Sequence, residues 1–85
     1  MTFEGALVKE QGVKFAIVIV KQHVINSRHT ANNAILSFQP TFPGVPVILM
    51  AQDFRGTPTY YGQRDVVNFL KNVPMQNIPW RKFRI

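Results

Sequence analysis

The chain begins with a weak alternation of apolar and polar positions from Phe3 to Lys9, broken by Gly5, and then a polar turn at Glu10-Gln11-Gly12. Alternation with period two marks a half-buried strand, and glycine at a turn takes positive φ at little cost. Val13 to Val20, VKFAIVIV, is the strongest strand signal in the sequence. Phe15, Ile17 and Ile19 form one face of it; Ala16, Val18 and Val20 form the other. Both faces are apolar, so this strand belongs inside a sheet that is covered on both sides. Together the two segments predict a β-hairpin, with Phe3 to Lys9 as an edge strand.

The period then changes. Ala31, Ala34, Ile35 and Phe38 fall at i, i+3, i+4 and i+7, one stripe of an amphipathic helix. Asn26, Ser27 and Thr30 are its candidate caps, Pro40 its stop, and Arg28, Asn32 and Asn33 its exposed side. Thr41 to Gly44 reads as a turn, and Val45 to Ala51 as a second buried strand with Pro46 near its start. Gln52 to Gly56 is a polar loop. Thr57 to Tyr61 has strand propensity, but Pro58 places it at an edge. Val66, Val67, Phe69, Leu70 and Val73 are again helical in period, with Asp65 and Lys71 placed to complement the helix dipole and Pro74 as terminator.

The order ββαββα predicts an α+β domain with two helices and a four-stranded mixed sheet in the order 1-2-3-4. A strand, a helical crossover and a strand give a parallel pair, so residues 13–20 and 45–51 are expected to be the parallel central strands. One domain spans residues 1–85. Residues 75–85 form a basic, aromatic tail expected to dock on the core, with Trp80, Phe83 and Ile85 inward. Two helices must then cover both faces of residues 13–20. Helices on opposite faces, the folded-back tail or a second copy of the chain would each do so, and the pattern does not choose among them.

Gly44-Val-Pro-Val-Ile-Leu-Met50, then Gly56-Thr-Pro58, then Gly62-Gln-Arg-Asp-Val-Val-Asn-Phe-Leu70 resembles the C-terminal half of thioredoxin-like domains. There a proline, usually cis, precedes a buried strand, a hairpin follows and a helix closes the unit; Pro46 would take that proline's place. The resemblance implies a degenerate thioredoxin-like half-fold as the alternative architecture. It carries no redox activity, because the chain has no cysteine, and the leading hairpin departs from that family's pattern.

Composition narrows the chemistry. Among 85 residues, 46% are hydrophobic and 12% aromatic, which argues against intrinsic disorder. Zero cysteine excludes disulfides, thiolate nucleophiles and cysteine-ligated zinc. His23 and His29 are six apart and four carboxylates are dispersed, so no metal cluster is expected, nor any cofactor. Neither Ser27 nor Ser37 sits in a nucleophile elbow, and the glycines are isolated rather than clustered in a phosphate loop. The start of the chain lacks a cationic segment followed by an apolar run, and the longest apolar run, Phe15 to Val20, falls far short of the ~20 residues that span a bilayer. A cytoplasmic protein with no membrane association is the expectation.

The net charge is +6, and it is uneven: residues 1–50 carry four basic and two acidic groups, residues 51–85 six and two. That asymmetry points to a polyanionic partner, nucleic acid included, contacted through the C-terminal third. The candidate residues are Arg55, Arg64, Lys71, Arg81, Lys82 and Arg84 for phosphates, with Trp80 to stack on a base. Asp53, Arg55, Tyr60, Tyr61 and Arg64 are the candidates for a small-anion pocket, the remaining route to an enzyme acting on an anionic metabolite. The competing structural roles are an Asp53 that caps its own turn, one tyrosine facing the core and a tail whose cations stay wet. A non-enzymatic binding domain is expected; the alternative is a protein-interaction or self-associating domain, a homodimer included, using an edge strand or an open sheet face.

Overall fold

A computed structural model describes residues 1–10 and 12–85, so the turn expected at Gln11 lies outside the described residues. One mixed sheet of five strands is present, with helices on both faces. β1 (Thr2–Glu10) and β2 (Val13–Ile19) form the expected antiparallel hairpin, and Gly12 has φ of 80° beside the turn. A short helix α1 (Gln22–Ile25) and a longer α2 (Arg28–Phe38) lead through a 3-10 turn at Gln39–Thr41 to β3 (Val47–Gln52). β3 runs parallel to β2, as the helical crossover requires. β4 (Pro58–Tyr61) returns antiparallel to β3, and α3 (Arg64–Leu70) follows.

The fold class is α+β with a parallel central pair, as the pattern implies. The strand count is not four. Arg81–Arg84 forms a fifth strand, β5, antiparallel to the first half of β1, giving the order β4-β3-β2-β1-β5. β1 is therefore interior along Thr2 to Gly5, rather than an edge strand throughout. The cause is the apolar alternation of the tail: Phe83 needs a place against Phe3, and pairing supplies it. The strands also shift slightly from the expected bounds. β2 ends at Ile19, and Val45 and Pro46 precede β3, where Pro46 contributes its carbonyl to the Ala16 amide at 2.9 Å.

The helix starts differ as well. α1 was not expected, and Ser27 is the N-cap of α2 without a side-chain cap bond. Thr30 donates its hydroxyl to the carbonyls of Val24 and Ser27 instead, joining the two helices. α3 stops at Leu70, short of Val73 and Pro74, and a second 3-10 turn at Met75–Asn77 carries the chain back to the sheet.

Four consecutive β2 residues, Phe15 to Val18, are fully buried. Phe15 and Ile17 face α3, in a core with Ala6, Ile48, Met50, Val66, Leu70 and Ile78. Ala16 and Val18 face α2, in a core with Phe3, Ala31, Phe42, Val47 and Leu49. The helices thus cover opposite faces of the sheet, and the folded-back tail adds to both cores through Trp80 and Phe83. Among the described residues there is no cis peptide bond, so Pro46 departs from the thioredoxin-like pattern. No helix is long and apolar enough to cross a membrane among the described residues.

Candidate nucleic-acid interface

Strand directions decide which charges meet. β1 starts at the end of the sheet where β2, β3 and β5 finish, because β1 is antiparallel to both β2 and β5 while β2 and β3 are parallel. Lys21 follows β2 at that end, Arg84 is the last residue of β5, and Arg55 sits in the loop after β3. All three side chains are exposed. In the sheet order, β3 and β5 are separated by β2 and β1, three inter-strand spacings or about 14 Å. The cations therefore form a row along one rim of the sheet.

The β3–β4 loop is closed by hydrogen bonds of its own. Asp53 Oδ1 accepts the Arg55 amide at 2.8 Å and the Thr57 amide at 2.9 Å, and Asp53 N–H donates to the Thr57 carbonyl at 3.0 Å. An aspartate that closes a turn on its own backbone is the ordinary use of that residue. Its carboxylate does not salt-bridge Arg55; among the described residues no Lys or Arg pairs with a carboxylate. At the loop tip Phe54 is 93% exposed, and the Arg55 guanidinium lies 5.4 Å from its ring centroid. An exposed aromatic ring offers a face on which a planar group can stack, and the cation beside it can meet an anion.

The expected small-anion pocket is not assembled. Adjacent strand residues point to opposite faces. Tyr60 packs on the α3 side, whereas Tyr61 lies on the α2 side and donates its hydroxyl to Asn32 Oδ1 at 3.1 Å. Arg64 begins α3, at the far end of β4 from Arg55, and the carboxylate of Asp65 already accepts the Val66 amide at 3.0 Å. Asp53, Arg55, Tyr60, Tyr61 and Arg64 thus do not face one another. The Tyr60 hydroxyl is buried without a hydrogen-bond partner, and desolvation raises its pKa above the usual 10.0.

The polyanion candidates divide. Lys82 and Arg84 lie on the α3 side of β5, while Arg81 lies on the α2 side with its guanidinium 5.4 Å from the Phe83 centroid. Lys82 is the cross-strand partner of Glu4. Lys71 caps the C-terminus of α3 and is exposed. Trp80 is half-buried in the α3-side core and donates its indole N–H to the Met75 carbonyl at 3.1 Å, so its ring supports the core. Phe54 and Lys21 join the rim instead. Phe54 had a signal in the sequence, a lone aromatic inside a polar loop; Lys21 had none, because its place depends on sheet topology.

Among the described residues no group of three His, Asp or Glu side chains gathers to hold a metal. No protein-family model, curated protein or solved structure matches the chain.

Proposed function

We propose that this chain is a non-enzymatic binding domain for nucleic acid, an extended single strand above all, held at the sheet rim where β2, β3 and β5 end. Arg55, Lys21 and Arg84 contact successive phosphates, and Phe54 stacks on a base. The observation that carries this reading is Phe54, presented to solvent at 93% on a loop fixed by Asp53, with Arg55 against its ring. A large aromatic face presented to solvent with a cation against it is the kind of surface on which a base stacks. Beside it, the Asp53 carboxylate is engaged by two amides of its own loop and not by the Arg55 guanidinium, which supports Arg55 as the phosphate contact.

Titration of a fluorescently labelled single-stranded oligonucleotide with the protein tests this. Phe54→Ala and Arg55→Ala are each expected to weaken binding by about 1–3 kcal/mol, the usual worth of a stacked base or a good contact. Arg64→Ala, at the far end of the sheet, is expected to leave it nearly unchanged. Equal effects of all three would mean diffuse charge attraction with no rim site.

A further inference from the structure

The main-chain groups of β1 divide by parity. The Ile85 amide donates to the Met1 carbonyl at 2.9 Å, so Met1 and Ile85 are a hydrogen-bonded pair of the β1–β5 ladder. By the two-residue period of a strand, Phe3, Gly5, Leu7 and Lys9 also turn their N–H and C=O groups toward the β5 side. β5 pairs no further than Gly5, opposite Arg81. Beyond that point the neighbouring chain holds Pro79, which has no N–H, and Trp80, whose N–H donates to the Ile78 carbonyl at 2.8 Å. Among the described residues, no partner takes up the main-chain donors and acceptors that Leu7 and Lys9 turn to this side. They border a cleft of about 510 Å³ whose opposite wall includes Phe69, Val73 and Ile78.

The other sheet edges are guarded. β4 carries Pro58, and β5 carries Arg81, Lys82 and Arg84, the residue types that discourage strand addition. The open stretch of β1 instead ends beside an apolar cleft and bears Leu7, 45% exposed. We propose that this edge takes an extended acidic peptide as an added strand, a role independent of the rim site. Alternate side chains of such a strand would enter the cleft on the α3 face, where Val8 and Glu10 stand, and should be apolar. The intervening ones would lie on the α2 face beside Lys9 and Lys14, which are cross-strand partners and both exposed, and should be acidic. A second copy is disfavoured, because two chains of charge +6 would bring four lysines together on that face.

Amide hydrogen exchange of the full chain with a capped hexapeptide of alternating valine and glutamate tests the proposal. Slowing of exchange at Leu7 and Lys9 by about tenfold or more is expected. Replacing glutamate by glutamine in the peptide should weaken binding by about tenfold, and lysine in its place should abolish it. The double variant Lys9→Glu/Lys14→Glu should reverse the preference between the glutamate and lysine peptides. Should that variant fail to fold, the peptide series on the unaltered protein still decides. No slowing at Leu7 and Lys9, equal binding of all three peptides, equal slowing by an N-methylated peptide that cannot pair, or self-association through this edge would each overturn it. Arg55→Ala/Arg84→Ala should leave peptide binding intact, which separates this site from the rim.

Discussion

The Phe3 and Phe83 rings stack across β1 and β5, 5.5 Å apart and 17° from parallel. Phe42 meets both rings edge-on, at 6.0 Å from Phe3 and 5.0 Å from Phe83, and Phe38 leans on Phe3 at 4.8 Å. This cluster attaches the C-terminal segment to the sheet. Phe83 is half-buried, so Phe83→Ala should cost about 2 kcal/mol, less than a fully buried phenylalanine. Urea unfolding and proteolysis check it: the midpoint should fall and cleavage should appear near Arg81 to Arg84. An unchanged midpoint would mean β5 is held by its ladder bonds alone.

The two-sided burial of the central strands has an equally direct consequence. Ile17 lies under α3 and Leu49 under α2, both fully buried. Ile17→Ala and Leu49→Ala should each destabilise by about 2–5 kcal/mol, since each leaves a cavity in a dry core. Thermal or denaturant unfolding measures both. A loss at only one position would mean that one face is loosely covered.

Tyr60 makes a pH-dependent prediction. Its hydroxyl is buried and unpaired, and burial raises its pKa above 10.0. The folded state then holds the phenol neutral while the unfolded chain ionises near its ordinary value. That contribution to stability is present in full below pH 10 and is lost as the pH climbs from 10 toward the raised folded-state value. Tyr60→Phe removes an unsatisfied group and should stabilise by about 1 kcal/mol at neutral pH, more so above pH 10. Unfolding curves of both proteins at pH 7 and above pH 10 read this out; a destabilised Tyr60→Phe would show that the hydroxyl has a partner.

Gly62 joins β4 to α3 with φ of 154°, and a Cβ there would come within 2.6 Å of Ile48 Cδ1 and 3.3 Å of Ile48 Cα. Ile48 is fully buried in β3, so the clash has little room to relax. Gly62→Ala should cost about 1–3 kcal/mol in denaturant unfolding. Gly12→Ala meets open space at φ of 80°, and should cost less.

The architecture was legible where one physical effect dominated. VKFAIVIV is apolar on both faces, and burial alone places it centrally; the β2–β3 pair is parallel because a helix connects the two. The tail was harder. Its alternation of Trp80, Phe83 and Ile85 with cations fits either docking or nucleic-acid contact, and only cross-strand stacking with Phe3 makes it a strand. The candidate site was legible in part. Arg55 and Arg84 reach one rim because their strands end together, a fact of sheet direction that local sequence does not carry. Tyr60 and Tyr61, read together as phenols near Asp53, point apart by the strand period. Trp80 was the aromatic with the richest basic surroundings, yet its indole N–H finds a carbonyl partner in the core and Phe54 is left outside.

Salt dependence of oligonucleotide binding tests the central claim most directly. Three phosphate contacts by Lys21, Arg55 and Arg84 predict that the logarithm of affinity falls with the logarithm of salt at a slope of about −2 for a single strand. Arg55→Ala/Arg84→Ala should flatten that slope by about 1.4. A slope near zero, or a slope the double variant leaves unaltered, would contradict a phosphate-binding rim.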